Sequence, residues 1–228
     1  MLDRIRRAGL DAEAAAGAGL AVDLDKGQVD LTANIGGFNA GGSGTVVLTS
    51  LANSFSGDVF IDTGTLSVGS DANLGDVNNT VTVSNGGRLL FTGSFTSARD
   101  VDLGTGGTID TGANALVLNG DVTGGGLTKD GSGTLTLGGD MAAYTGTTTI
   151  NDGTLSLGSG PNAQLGSALV FNGTGNSTLD VTGDLSSAAT VTMNADGNIT
   201  TGGNELDLTG AISGTGNLSF TGTNPTSG

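Results

Sequence analysis

Hydrophobic positions along this chain come in short alternating bursts and never in long runs. Val81-Thr82-Val83, Thr134-Leu135-Thr136-Leu137 and Leu206-Asp207-Leu208 put apolar side chains on one side and polar ones on the other. That is the period-two mark of a half-buried strand. Leu116-Val117-Leu118 is a further strand-like burst. Between the bursts lie Asn85-Gly86-Gly87, Gly104-Thr105-Gly106-Gly107, Asp130-Gly131-Ser132-Gly133 and Asn151-Asp152-Gly153. Gly and Asn tolerate the positive φ that tight corners need. Thr and Val, both frequent, favour strands over helices. The one helix predicted is a short amphipathic one at the start, with Leu2, Ile5 and Ala12 on one side, placed to cover the open end of a stack of strands.

The bursts recur. Gly44-Thr45-Val46-Val47-Leu48, Phe55-Ser56-Gly57, Val59-Phe60-Ile61 and Gly64-Thr65-Leu66-Ser67-Val68-Gly69 return 89 residues later as Gly133–Leu137, Tyr144–Gly146, Thr148–Ile150 and Gly153–Gly158. A second set, including Phe95, Val101, Ile109, Leu116 and Val122, returns after 90 residues as Leu185, Val191, Ile199, Leu206 and Ile212. Leu31 and Ile35 resemble the tail of an earlier copy. Short strands with glycine corners suit a sandwich, a barrel or a β-helix, and the fixed period selects the stacked architecture. The predicted apolar ladder is Leu48, Leu66, Leu116, Leu118, Leu135, Leu137, Leu155, Leu157, Leu206 and Leu208. At roughly 20–25 residues per coil, the long unit is about four coils and the chain about ten. The expected rod is on the order of 45–50 Å at the ~4.8 Å strand spacing. Residues 1–24 are expected to be a cap or leader. Residues 25–228 then form a single repeat domain, with units near 25–122 and 123–212 and the start of another at 213–228.

Composition narrows the core and the partners. Glycine supplies 44 of 228 residues, aromatics 4% and Trp none, so the core must be thin and aliphatic. The net charge is −15, and after residue 7 there are 21 acids against four bases. Such a body repels phosphate, which disfavours nucleic acid and anionic membrane as partners. No stretch approaches the ~18–20 apolar residues of a membrane helix. Cysteine is absent, which removes disulfides and thiol chemistry. The basic start Met1–Arg7 is like the opening of a signal peptide, but Asp11 and Glu13 interrupt the apolar run that should follow.

One stretch carries a family resemblance. It runs Gly126-Leu127-Thr128-Lys129-Asp130-Gly131-Ser132-Gly133-Thr134-Leu135-Thr136-Leu137, then Tyr144-Thr145-Gly146, then Gly153-Thr154-Leu155-Ser156-Leu157. It closely resembles the autotransporter-associated β-strand repeat: Gly-Leu-x-Lys-x-Gly-x-Gly-x-Leu-x-Leu, a short loop, Tyr-x-Gly, a Thr-rich strand and Gly-x-Leu-x-Leu. Residues 41–69 match less fully, with Phe55 for the Tyr and no Lys, and residues 212–220 begin another copy with Phe220 in the Lys place. The resemblance implies an all-β, right-handed parallel β-helix in the surface-exposed passenger of a Gram-negative autotransporter. Such passengers serve adhesion, autoaggregation or biofilm, or act as stalks. The family's terminal outer-membrane barrel has no counterpart here, and the chain runs out at Asn224-Pro225-Thr226-Ser227-Gly228, so a longer protein is expected around it.

Candidate chemistry is sparse. Without His, a Ser-His-Asp triad and metal–histidine sites are excluded. Carboxylate pairs of the kind a glycosidase needs occur as Asp100 with Asp102, Asp180 with Asp184 and Asp71 with Asp76, though dispersed Asp in turns is the simpler account. A calcium-binding Gly-Gly-x-Gly-x-Asp repeat fails because Val46 stands in the Asp place after Gly41-Gly42-Ser43-Gly44, and Asn194-Ala195-Asp196 offers at most an incidental ion site. Gly-x-Gly patterns such as Gly173-Thr174-Gly175 lack the Lys and the helix of a phosphate loop. Thr145, Thr147, Thr148 and Thr149 raise ice binding, but their motif does not recur in every coil. No catalytic, cofactor-binding or metal residue is expected, and no cofactor. The expected role is a structural or adhesive surface module that self-associates or meets a cell-surface ligand through its polar faces. The alternatives are a passive spacer and, behind it, a polysaccharide-degrading enzyme.

Overall fold

The computed structural model describes residues 3–7, 10–14, 20–23, 38–41, 43–51, 53–158, 160–173 and 177–222, with side chains from Ser43 onward. From Leu20 on, every strand pair among these residues is parallel, and the chain is a β-solenoid with three sides per turn.

The first side, face I, stacks Thr45–Leu48, Thr65–Val68, Arg88–Phe91, Gly107–Asp110, the second half of Val122–Asp130, Tyr144–Ile150, Ala168–Phe171, Thr190–Met193 and Ile212–Gly214. Face II stacks Phe95–Ser97, Ala115–Leu118, Thr134–Leu137, Thr154–Leu157, Ser177–Val181, Gly197–Thr200 and Leu218–Thr221. Face III runs from Leu20–Asp23 through Phe38–Gly41, Val59–Asp62, Val81–Ser84 and Val101–Asp102 to the first half of Val122–Asp130. Leu185–Ser187 and Leu206–Leu208 continue that side later in the chain. The nine strands of face I make eight turns, against about ten expected. The even count over the chain was too generous because its first strands add no turn.

Those first strands also correct the expected helix. Asp3–Arg7 and Leu10–Ala14 pair antiparallel, and Glu13 pairs with Ala21 of the next strand. A helix there would carry Gly9 in its interior, at a cost of about 1 kcal/mol. Antiparallel pairing satisfies the backbone instead and lays two strands on the starting edge of face III. Among the described residues the one helical element is a 3₁₀ turn, Asp71–Leu74, and no helix is long and apolar enough to cross a membrane.

The register shows what the long repeat is. Down face I, Val46 stacks on Leu66, Leu89, Ile109 and Lys129. Those four turns take 83 residues, from 46 to 129, so an echo at 89 overshoots by six and lands on the next side. Thr45–Leu48 on face I accordingly returns as Thr134–Leu137 on face II, and Val59–Ile61 on face III returns within Tyr144–Ile150 on face I. The unit is four turns and one face, so the two copies look out in different directions.

Inside, the expected ladder forms. Leu48, Leu66, Leu116, Leu118, Leu135, Leu137, Leu155 and Leu157 are buried, each burial stabilising by about 1.5–3 kcal/mol. Leu206 and Leu208 are only partly buried, and Ile212 and Phe220 beside them are exposed, since they belong to the last described turns. On the early turns face II is replaced by loops, and Phe55 and Leu74 fill its inner side.

Candidate functional site

Outward side chains of face I form a polar column. Arg88, Thr108, Thr128, Thr149, Val170 and Thr192 are in register, one per turn. Two residues towards the preceding corner, Gly106 and Gly126 carry no side chain. A groove of about 290 Å³ opens there across four turns, floored by Gly86, Gly106 and Gly126 and walled by Thr105, Thr108 and Thr128. A Cβ at Gly86 or Gly106 would meet open space, but φ of 80° and 130° at these positions favours glycine. The hydroxyls of Thr108, Thr128, Thr147 and Thr149 have no protein partner among the described residues.

The other edge of the same face is charged. Arg88 donates to Asp110 through Nε at 3.1 Å and also through Nη2, and to Asp130 through Nη1 at 2.7 Å. Asn151 Nδ2 donates to Asp130, Asn172 to Asn151 and Asn194 to Asn172, at 2.7, 3.1 and 3.2 Å. One polar chain thus ties six turns together. The two carboxylates hold Arg88 above its usual pKa although burial pulls the other way.

Beneath this edge lies Lys129, fully buried between Ile109 and Ile150 in the apolar column. Its Nζ donates to the carbonyls of Asp130, Gly131 and Asp152 at 2.8, 2.7 and 3.1 Å, joining two successive turns. Burial pulls its pKa down to about 8, opposed by the carboxylates of Asp110, Asp152 and Asp130. Tyr144 is equally buried. Its hydroxyl accepts from Leu127 N at 3.1 Å and lies 3.0 Å from Thr148 Oγ1, which donates to Leu165 O. Burial raises the Tyr144 pKa. Two residues on, a Cβ at Gly146 would overlap the Gly125 carbonyl. The Lys and the Tyr-x-Gly of the repeat are therefore devices that lock one turn to the next.

The carboxylate pairs singled out in the sequence do not converge as pairs. Asp71 binds Arg99 at 2.9 Å, and Asp76 accepts from Asn78, which lowers its pKa. Asp100 accepts from Asp121 N one turn on, and Asp102 from Gly104 N. Asp180 takes Thr200 and Ser156 hydroxyls, and Asp184 takes Glu205 N. Asp196 of the incidental-ion turn accepts from Asn217. Among the described residues no three acidic side chains gather as cation ligands. The Thr run is also divided: Thr148 points inward, and Thr147 pairs with Gly126 and Ala168, so the hydroxyl array on face I is one column wide. Sequence reasoning missed the Arg88–Asp110–Asp130 cluster, although its 20- and 22-residue spacings are visible once the chain is wound at the coil length.

Stacked strands, glycine corners, a carbonyl-bound lysine and a buried tyrosine define a β-solenoid built from passenger-type repeats. The family model for the passenger-associated-transport repeat matches at residues 40–68 and 127–157, and the chain carries that repeat twice. Over 207 residues, 85% of this chain, it is 37% identical to the adhesin BmaC autotransporter of Brucella suis biovar 1 (strain 1330). It spans only 6% of that protein's length. No solved structure matches it.

Proposed function

We propose that this segment is a non-enzymatic structural and adhesive module of a surface-exposed passenger, held at the outer membrane through a region outside the chain. The observation that carries this reading is the pairing of a passenger repeat with an adhesin relative. The outer faces agree with it. Their polar side chains form long ladders of Thr, Asn and Asp, one per turn, suited to many weak contacts with a cell-surface ligand or a second copy. The candidate carboxylates Asp71, Asp76, Asp100, Asp102, Asp180 and Asp184 are each engaged in an ion pair, a turn or a ladder bond, which supports this reading.

The second reading is a passive spacer, favoured by the clamps at Lys129 and Arg88 that join turn to turn. Bacteria displaying the whole protein separate the two. Arg substitutions made together at outward Thr82, Thr128, Thr136 and Thr178, which reach all three faces and the groove, should abolish cell–cell clumping and attachment to host cells at unchanged surface display. Unchanged clumping and attachment would make the segment a spacer.

A further inference from the structure

We propose that the face I groove binds a neutral, unbranched oligosaccharide lying along the solenoid axis. The proposal deepens the adhesive reading and rests on it. The lining is wholly uncharged although the chain carries a net charge of −15. A polyanion is repelled by that field. A polycation is drawn instead to the outward carboxylates that stack at Asp100, Asp121 and Asp140. What remains complementary to free hydroxyls and exposed glycine backbone is a chain that carries hydroxyls itself.

Spacing supports the same ligand. Thr108, Thr128 and Thr149 repeat at the ~4.8 Å strand separation, close to the length of one sugar residue in an extended pyranose chain. Each successive residue of an axial glycan therefore meets a new hydroxyl that has no protein partner to give up. The glycine floor lets the ring edge approach the backbone. No aromatic side chain lines the groove, so a single site is weak, and attachment of a cell depends on many copies.

Among the described residues the second unit does not rebuild the corner of this groove. Ninety residues on, Thr105 and Gly106 become Ala195 and Asp196, and Asp196 fills the corner by accepting from Asn217 N at 2.7 Å. The building residues of the repeat are kept while this surface is not, as a specificity site requires.

The test is a titration of the ¹⁵N-labelled chain with a β-1,4-linked glucose hexasaccharide, alongside hexagalacturonate and spermine. Saturable amide shifts confined to 105–108, 125–128 and 147–149 are expected with the neutral sugar alone. Thr128→Ile, which removes the central groove hydroxyl and fills its place with an aliphatic side chain, should weaken binding at least about tenfold. Thr192→Ile, on the same column outside the groove, should leave it unchanged, and circular dichroism checks that both variants fold. The proposal is overturned by the absence of saturable shifts with the neutral sugar, by equal shifts with either charged probe, or by binding that survives Thr128→Ile. Clumping without sugar binding would sink this proposal and spare the adhesive reading. Sugar binding without clumping or attachment would do the reverse.

Discussion

Lys129 is the residue whose place is hardest to reconcile with its chemistry. It occupies a rung between Ile109 and Ile150, yet its ammonium is held by three carbonyls. Hydrogen bonds to a charged donor contribute about 1.5–3 kcal/mol each in favourable cases, set against the cost of removing the charge from water. Lys129→Met should therefore destabilise the fold by about 1–3 kcal/mol at pH 7. The pKa of about 8 in the fold lies below the ordinary lysine value of 10.5. Between those pH values the unfolded chain holds the proton and the folded chain does not, so raising the pH favours folding. The stability gap between the natural chain and Lys129→Met should widen as pH climbs from about 8 to about 10.5. Urea unfolding at several pH values measures it, and a narrowing gap would mean that the carbonyl cage outweighs burial. The Leu ladder was legible at this scale because alternation marks inward positions directly. The inward lysine was not, because its charge argues for the outside although alternation from Leu127 turns it inward, and only the carbonyls supplied by the corner after Asp130 and by the following turn at Asp152 make the inside tolerable.

Among the elements, strands and corners were legible and pairings were not. Thr134–Leu137 announces a strand by itself, but its partners lie 19 and 20 residues away, a distance that local pattern does not encode. The same gap hid Arg88 and Asp110, whose meeting depends on winding the chain. Where face II is missing, the loop after Thr65–Val68 takes its place and is clamped by buried polar side chains. Arg99 donates to the Asp71 carboxylate and to the Gly75 and Asp76 carbonyls, and Asn73 binds Gly69 N, Ser70 N and Ser50 O. In the other unit Ala189 stands where Arg99 does here. Arg99→Met should release this loop without unwinding the rod, because a solenoid turn depends mainly on its neighbours. Amide exchange at residues 70–79 is expected to accelerate by roughly tenfold or more while that at 127–150 stays unchanged. Equal acceleration in both regions would show that Arg99 supports the whole stack.

For the molecule as a whole, the repeat length governs which surfaces face the same way. An exact four-turn unit would present each outer motif again on the same side. Four turns and one face instead carry the motif around the rod, so both passenger-repeat copies share construction but not direction. The stacked architecture was legible in the 89- and 90-residue echoes, whereas the extra face was not, because it emerges only from coil lengths that vary between 18 and 24 residues. Homotypic contact would then bring unlike faces of successive units into play, favouring bundles over two-chain zippers. The stacking itself is open to direct measurement, since the cysteine-free chain accepts spin labels at any pair of introduced cysteines. Thr65, Thr149, Val170 and Thr192 lie outward on face I, with the last three stacked four, five and six turns beyond the first. Electron-spin distances from Thr65 to these three should rise in equal steps of about 5 Å, starting near 20 Å. Steps that are unequal, or a distance that shortens as turns are added, would contradict the solenoid on which every other inference rests.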